Sequence, residues 1–286
     1  MRGMRTWSKA AAAAAVAALA VTAAGGASAT PLAQSAKTAP TAGDPTSKYH
    51  LVSDGTLTVG MTLLFKPQMY LDHGKPAGYD VELVKALAKS MGVKLKIQNL
   101  AFDGLIAGLQ AKKFDMVSVG LSPTPERKKA VSFSRAYVPY ALILAVPAGD
   151  TTPATFSAWN SSDKTITALQ GSTDADLIKK QFPKAKLQTF PDDNAALLQV
   201  ATGRADASVV ENYILAQFSK SNPGKLKQAA FKKPLDLQYG AYATQKGNTA
   251  LVGYLNKWVC KIQKNGTMAA IYKKTEGAAL PPMPAC

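Results

Sequence analysis

Two stretches of the chain repeat the same order of residue types, and this repeat limits the folds open to the sequence. KLKIQNLAFDGLIAGLQAKKFDMVSV covers residues 94–119, and KLQTFPDDNAALLQVATGRADASVV covers residues 186–210. Each reads as a strand, an acidic residue at the start of a short amphipathic helix, a turn, an aspartate and a second strand. The two aspartates, Asp115 and Asp206, fall at matching places. The repeat predicts two similar α/β lobes built on a mainly parallel sheet.

Each copy of the repeat follows another predicted strand and helix. These are LTVGM with DVELVKALAKSM in the first half, and TITALQGST with DADLIKKQF in the second. The first of these helices carries an apolar stripe, and Gly92 is placed to end it. Asp103 is predicted to cap the short helix of the first copy. Thr173, with Asp176 as its capping-box partner, is predicted to cap the helix after TITALQ.

Two apolar segments are long enough to pass from one lobe to the other. They are YVPYALILAVPAGD, residues 137–150, and PLDLQYGAYATQKGN, residues 234–248. Two crossings predict a discontinuous first lobe, residues 51–141 plus 241–286, and a second lobe of residues 142–240. The cleft between the lobes is a common place for a ligand, and the crossings form a natural hinge near residues 140–146 and 236–242.

The N-terminus has the pattern of a secretory signal peptide. A basic start, MRGMRTWSK, precedes an alanine-rich apolar run, and ASA at residues 27–29 is a small-residue cleavage signal. We expect residues 1–29 to be removed, with cleavage after Ala29, and the protein to be periplasmic or secreted. Residues 30–50, rich in Ala, Thr and Pro, are predicted to form a flexible arm before the fold.

Composition excludes several classes of function. The formal net charge is +16, but the lysines occur as scattered pairs and no basic run alternates with aromatic residues. Together with export, this predicts no nucleic-acid partner. The chain has only two histidines and two cysteines, so no metal site and no cofactor is expected. Neither histidine lies near a candidate nucleophile, which disfavours a hydrolase.

The two cysteines, Cys260 and Cys286, lie near the C-terminus. An even pair in an exported protein is typical of one disulfide, which would attach the tail EGAALPPMPAC to the YLNKWVCKI helix. Two free thiols are the alternative.

One arginine is predicted to lie at the N-terminal end of a helix, whose partial positive charge repels a cation. In SPTPERKKAVSFS, Thr124 is placed to cap a helix and Pro125 suits its first position. Arg127 then follows at the positive end of the helix. A bound anion, held by the arginine and by nearby backbone N–H groups, would explain the placement.

Ligands of open α/β sheets bind beyond the carboxyl ends of the strands, so the residues that follow each strand are the candidate site. They combine a guanidinium and backbone donors for a carboxylate, an acid for an ammonium, and apolar walls. These groups together describe a site for an α-amino acid. The candidate ligand-binding residues are Phe65, Phe102, Gly120, Ser122, Arg127, Ser172, Thr173 and Glu211.

Each residue alone has a structural alternative. Arg127 could pair on the surface with Glu126 or Asp103. The two phenylalanines could be core residues, and Ser172 and Thr173 could serve only as caps. Glu211 could be a loop acid or could cap the helix NYILAQF.

The motifs resemble those of the amino-acid-type, family 3 extracellular solute-binding proteins of bacterial ABC importers. The resemblance runs from Thr56 to Lys274 and is carried by GKPAGYDVEL (74–83), FDGLIAGLQAKKFDMVSVGLSPTPERKKAVSFSRAYVPY (102–140), LQGST (169–173) and GRADASVVEN (203–212). It implies a two-lobe periplasmic binding protein, the type II Venus flytrap. It also implies a monomer that binds an amino acid outside the cytoplasm and delivers it to a membrane ABC permease.

The resemblance also implies a role for each candidate residue. Arg127 is similar to the family's carboxylate-binding arginine, and Glu211 stands at its ammonium-binding acid. Gly120 would offer its carbonyl, and Ser122 its hydroxyl and N–H. Thr173, with the preceding serine, would offer a backbone N–H, and the two phenylalanines would form the aromatic walls.

Three positions depart from the family pattern. The ammonium-binding acid is usually aspartate, and Glu211 is one methylene longer. The first-loop aromatic motif reads FKPQ, residues 65–68. Thr62 stands where members that bind cationic side chains carry an acid, which is an argument against lysine or arginine as the ligand. Lys66 could contact an acidic side chain or point to solvent.

The sequence therefore favours a binding protein that is not an enzyme. The alternative is a cyclohexadienyl or arogenate dehydratase, an exported enzyme that the same fold resembles. In that class a buried, protonated Glu211 would serve as general acid. Few other titratable groups are expected in the cleft, which argues against the enzyme. A chemoreceptor sensor is disfavoured because no membrane or output segment is predicted.

Overall fold

The computed structural model describes residues 47–286, so the predicted signal peptide and most of the predicted arm lie outside the described residues. The end of the arm belongs to the fold: Tyr49 is buried and its ring lies 5.2 Å from that of Tyr254. Within the described range, no helix combines the length and apolar character that a bilayer crossing requires.

The strands of the described residues follow the predicted order. They are β1 (Thr56–Met61), β2 (Leu64–Phe65), β3 (Met69–Asp72), β4 (Lys75–Ala77), β5 (Lys94–Asn99), β6 (Met116–Leu121), β7 (Val131–Pro147), β8 (Thr165–Leu169), β9 (Lys186–Phe190), β10 (Ala207–Glu211), β11 (Leu226–Gln228) and β12 (Asp236–Gln245).

The helices alternate with these strands in each half of the chain. They are α1 (Tyr79–Met91), α2 (Leu105–Gln110), α3 (Pro125–Ala130), α4 (Phe156–Trp159), α5 (Thr173–Gln181), α6 (Asp193–Ala201), α7 (Asn212–Ser221), α8 (Thr249–Lys264) and α9 (Thr267–Glu276). Helix α1 ends as predicted, at Gly92 in the left-handed conformation.

One mixed sheet runs through both halves, in the order β5-β1-β6-β12-β7-β10-β8-β9, and β11 also pairs with β7. The flanks, β5-β1-β6 and β10-β8-β9, are parallel as the repeat predicts. The centre differs, because β7 and β12 pair antiparallel with each other and with their outer neighbours. These central strands contain most of the two predicted crossing segments. Strands β2, β3 and β4 form a separate small sheet.

The repeated aspartates make the same contact in both copies. The backbone N–H of Thr58 donates to Asp115 at 2.7 Å, and that of Thr165 donates to Asp206 at 2.8 Å. In each copy the aspartate N–H also donates back to the carbonyl of the same threonine. Each aspartate therefore joins the strand that follows it to the neighbouring strand that carries the threonine. The same connection is made in both halves of the chain.

The apolar residues form two buried clusters. The smaller one is built only from residues between 142 and 235, and Trp159 at its centre is fully buried. The larger one surrounds α1, α8 and the first strands. Since fully burying an apolar side chain stabilises a fold by about 1.5–3 kcal/mol, both clusters stabilise the strands that they contain.

A disulfide attaches the C-terminal tail to α8. It joins Cys260 and Cys286, whose Cα atoms are 5.6 Å apart. The tail makes further polar contacts beside it: the side chain of Gln263 donates to the carbonyl of Pro284 at 3.0 Å, and Arg135 donates to the carbonyl of Ala285.

Candidate ligand-binding site

The predicted site residues meet around one small cavity between the two halves of the chain. All eight candidates line it, and five further residues that the sequence analysis missed complete it. Its volume is about 20 Å³, which is roughly the space that one water molecule needs. A molecule as large as an amino acid can therefore enter only if the walls move apart. The additional lining residues are Val119, Tyr140, Leu169, Asp193 and Tyr213.

Arg127 extends from the first turn of α3 into the cavity. Thr124 caps this helix as predicted, its hydroxyl accepting from the Arg127 N–H at 3.2 Å, and Pro125 is the first helical residue. The guanidinium donates to the carbonyls of Ser122 and Gly171, each at 3.1 Å. It also lies 5.8 Å from the centre of the Phe102 ring.

The surface pairs considered for Arg127 do not form. Glu126 pairs instead with Lys129 at 2.7 Å, and Asp103 accepts from the side chain of Gln170 at 2.8 Å. Burial lowers the pKa of the guanidinium, while Tyr140 and nearby acids act in the opposite direction. The arginine is thus directed into the site with no carboxylate bonded to it.

Helix α5 begins differently from the prediction. Its N-cap is Ser172, whose hydroxyl accepts from the N–H groups of Asp174 and Ala175, so the predicted Thr173–Asp176 capping box is wrong. Thr173 is instead the first helical residue. The N–H of such a residue has no partner inside its helix and is free to donate to an anion.

Asp103 also departs from its predicted role. It lies inside a short 3₁₀ turn, Phe102–Gly104, and makes no capping hydrogen bond to α2. Its contact with Gln170 links the two halves of the chain across the mouth of the site.

Gln238 on β12 connects several residues of the site. Its side-chain carbonyl accepts from the hydroxyls of Ser122 at 2.6 Å and Thr173 at 2.9 Å. Tyr140 contacts the Ser122 hydroxyl and donates to the carbonyl of Gly120 at 3.0 Å. The sequence signal for Gln238 and Tyr140 is their position on the two crossing segments, which adjoin the cleft.

Phe65 and Phe102 stand on the first-half side of the cavity. Their ring centres are 6.2 Å apart with the rings nearly perpendicular, and Phe65 is 5% exposed. The side chain of Lys66 is exposed, and its amine lies 4.9 Å from the centre of the Tyr70 ring. The phenylalanines are therefore both wall residues and part of the buried apolar structure.

Glu211 is one member of a cluster of three carboxylates. It ends β10, while Asp174 lies in the first turn of α5 and Asp193 is the first residue of α6. One oxygen from each lies within 4.8 Å of the other two. Glu211 occupies the cap position of α7 but makes no capping hydrogen bond. The expectation that few other titratable groups lie in the cleft is therefore wrong.

Burial raises the pKa of all three carboxyls. The pKa of Glu211 rises to about 7, and backbone hydrogen bonding and Arg127 limit the rise. Those of Asp174 and Asp193 are also raised, by burial first and then by the charge of Glu211. Three acids this close repel one another when charged, so each of these carboxyls keeps its proton to a higher pH than a free carboxyl does.

Comparison with known proteins places this architecture in a class. Residues 57–277 match the model of the bacterial extracellular solute-binding proteins, family 3, and the chain belongs to that family. The fold is that of a two-lobe, type II binding protein.

Among curated proteins, the probable amino-acid-binding protein YxeM of Bacillus subtilis (strain 168) is 31% identical over 223 residues. The match covers 77% of this chain and 84% of YxeM. This relative is named as a binding protein and not as an enzyme.

Two solved structures are similar over most of the described chain. One is the ancestral amino acid-binding protein AncCDT-1, a precursor of cyclohexadienyl dehydratase, at 33% identity and a TM-score of 0.71, covering 77% of this chain and 95% of that one. The other is an ancestral arginine-binding protein bound to arginine, at 32% identity and a TM-score of 0.72, covering 77% and 98%.

Proposed function

We propose that this protein binds an amino acid outside the cytoplasm, in the cavity between its lobes, and delivers it to an ABC importer in the membrane. The observation that carries the proposal is that Arg127 and Glu211 line the same cavity. A guanidinium binds a carboxylate through two parallel hydrogen bonds, and a carboxylate neutralises the charge of an ammonium. The two ends of an α-amino acid need this pair of charges.

The ligand carboxylate has three sources of donors. Arg127 supplies the guanidinium, and Ser122 its hydroxyl and N–H. Thr173, with Ser172 beside it, supplies the free N–H of a helix start from the other lobe. Glu211 and the carbonyl of Gly120 receive the ammonium, and Phe65 and Phe102 enclose the apolar part. Because donors come from both lobes, the ligand itself stabilises their closure.

Binding requires the lobes to separate and close again. We assign residues 51–141 plus 241–286 to the first lobe and 142–240 to the second, with hinges near 140–146 and 236–242. The contacts Arg127–Gly171 and Gln170–Asp103 cross between these lobes. Since the cavity between them holds only about 20 Å³, the geometry is that of a closed form.

The alternative is a dehydratase, in which Glu211 would donate a proton. Two features support the dehydratase alternative: burial raises the pKa of Glu211 to about 7, and the chain is similar to a precursor of such an enzyme. The binding protein is favoured because the curated relative and both similar structures are named as binding proteins. Incubation with prephenate or arogenate, followed by detection of aromatic product, separates the two classes.

A melting-temperature screen tests the proposal directly. A ligand that binds only the folded protein increases the free energy of unfolding by mass action, by about 2.7 kcal/mol when its concentration is a hundred times Kd. The melting temperature rises as a result. The screen uses the twenty amino acids, ornithine and citrulline. We expect at least one L-amino acid to stabilise the monomeric protein and its amine-free analogue to do so much less. If none of these compounds shifts the transition, the proposed function is wrong.

A further inference from the structure

The charges that face the cavity are unequal. Asp193 and Glu211 line the cavity together with one cation, Arg127. Asp174 lies beside the two acids, with one oxygen of each of the three within 4.8 Å of the others. The inference that follows rests on the proposed function, in which Arg127 binds the ligand carboxylate. A neutral amino acid then brings one ammonium to three acids, so the acids that it does not contact keep their protons, whereas a second cation on the ligand would balance another carboxylate.

The oxygens of the two aspartates lack partners within the described structure. Asp174 is fully buried and neither of its carboxylate oxygens has a hydrogen-bond partner, while Asp193 is 4% exposed with one unpartnered oxygen. Burying a carboxylate without a partner is costly, and such groups are normally paired or bonded. The acids therefore have unused capacity to accept hydrogen bonds, and Asp193 has it at the wall of the cavity.

Asp193 also lies on the route that a ligand side chain would take. A second cavity of about 220 Å³ adjoins the first, and Asp193 lines both. The amides of Asn194, Gln217 and Asn222 line this second cavity with Lys66. The lysine side chain is exposed and directed at the ring of Tyr70, 4.9 Å away, so it leaves Asp193 unpaired.

We propose that the ligand is an amino acid with a cationic side chain, an ammonium or a guanidinium. Its α-ammonium binds Glu211, and its second cation binds Asp193 where the two cavities meet, with Asp174 behind. The walls suit such a side chain, because Phe65 and Phe102 offer aromatic surface on which a cation is stabilised.

This assignment replaces the sequence argument from Thr62. That residue is 1% exposed and its hydroxyl donates to the carbonyl of Leu100 at 2.9 Å, so it does not face the ligand. The absence of an acid there excludes cationic ligands only if no other acid is available. In this chain Asp174 and Asp193 supply negative charge from the other lobe.

Calorimetry with matched ligands tests the proposal. L-Citrulline has the shape of L-arginine without its charge, and L-glutamine serves as a shorter neutral amide. We expect arginine or lysine to bind at least about tenfold more tightly than citrulline or glutamine, which is a difference of about 1.4 kcal/mol. Citrulline that binds as tightly as arginine and lysine would overturn the proposal.

Asp193→Asn tests the assigned residue, since it keeps the shape and removes the charge. The arginine-to-citrulline affinity ratio should fall toward one. The control is Asp72→Asn, which removes the same charge from the exposed end of β3 and should keep the wild-type ratio. An unchanged ratio in Asp193→Asn refutes the role of that carboxylate. If this variant fails to fold, Asp174→Asn and the wild-type ligand comparison still decide the question.

The results also separate the two proposals. If neutral or acidic amino acids bind through Arg127 and positive charge adds nothing, the proposed function stands and the cationic ligand is wrong. In that case the acids are balanced by protons, and calorimetry in buffers of different ionisation enthalpy will show proton uptake on binding. If no amino acid binds, both proposals fail.

Discussion

The guanidinium of Arg127 donates to the carbonyl of Gly171, 3.1 Å away and 44 positions later in the sequence. Gly171 lies immediately before the cap of α5, and Arg127 lies in the first turn of α3. One hydrogen bond thus brings two helix starts to face each other across the cavity. Arg127 from the first start and Thr173 from the second line the same small cavity. A guanidinium beside the free N–H of a helix start is an arrangement that suits an anion.

Replacing Arg127 by alanine should weaken ligand binding by about 2–5 kcal/mol, the usual cost of truncating one partner of a buried charge pair. The fold should be little affected, because Arg127 is not part of either apolar cluster. Arg204→Ala is the matched control, since Arg204 is exposed and its guanidinium donates to the side chain of Gln199, away from the cavity lining. Titration calorimetry that finds equal affinities for Arg127→Ala and the control would remove Arg127 from the site.

Glu211→Gln should lower the affinity for an amino acid by at least about tenfold, or roughly 1.4 kcal/mol. The substitution keeps the shape but removes a charge that balances the ammonium. The corresponding carboxylic acid without its amine should lose much less. Glu126→Gln, on the exposed side of α3, serves as the control. Intact amino-acid binding in Glu211→Gln would show that the ammonium lies elsewhere and make the dehydratase assay the next experiment.

The unliganded protein should lose stability as the pH rises from about 5 to 8. The pKa of Glu211 is raised from 4.5 to about 7, and those of Asp174 and Asp193 are raised in the same direction. Between the pKa of the unfolded chain and the higher pKa of the native state, each carboxyl is protonated in the native protein but not in the unfolded chain. The stability that this proton contributes is fully present below the unfolded pKa and is lost as the pH rises through the native pKa.

Asp174→Asn isolates the share of the cluster in this pH dependence. It should raise the free energy of unfolding at pH 8 more than at pH 5, because it removes one of three mutually repelling groups. Asp80 and Glu276, with pKa values raised to about 6 and 7, contribute a background of the same sign that this variant leaves in place. Denaturant titrations at both pH values measure the effect. Equal changes at pH 5 and pH 8 would contradict it.

Ligand should make the protein more compact by closing the lobes. Small-angle scattering should give a smaller radius of gyration with ligand than without it. Gln238→Ala removes the carbonyl that joins Ser122 and Thr173, and it should shift the unliganded protein toward larger radii. Gln245→Ala, at the far end of β12, is the control. If the wild type and Gln238→Ala give the same radius of gyration both without ligand and with it, the contacts of Gln238 do not hold the lobes together.

Much of the fold was predictable because its signals are local and repeated. The alternation of strands and helices fixes β1, α1 and the parallel flanks, and the matching aspartates mark equivalent places in the two halves. The antiparallel centre was not predicted, since pairing between β7 and β12 depends on segments about a hundred residues apart. The sequence of neither strand indicates which other strand it pairs with.

The site shows the same division. All eight predicted ligand residues line the cavity, because position after a strand places them at one sheet edge. Asp193 was missed because it reads as an ordinary first-turn helix acid, and its neighbour Asp192 provides the cap. Asp174 was missed for a similar reason. Only the packing of α5 and α6 beside β10 brings these charges to Glu211.

The paired strands β7 and β12 also determine the mechanics of the molecule. Their ladder runs from Asp236 opposite Leu142 to Gln245 opposite Val131, with irregular register around Gly240 and Ala241. At Gly240 a side chain would collide with the backbone of Gly120, about 2.5 Å away. A hinge placed in these two strands, as we propose, would act as a pair of joined leaf springs. We expect it to bend where the ladder is already irregular, to resist twisting, and to return the lobes to the same alignment after every release of ligand.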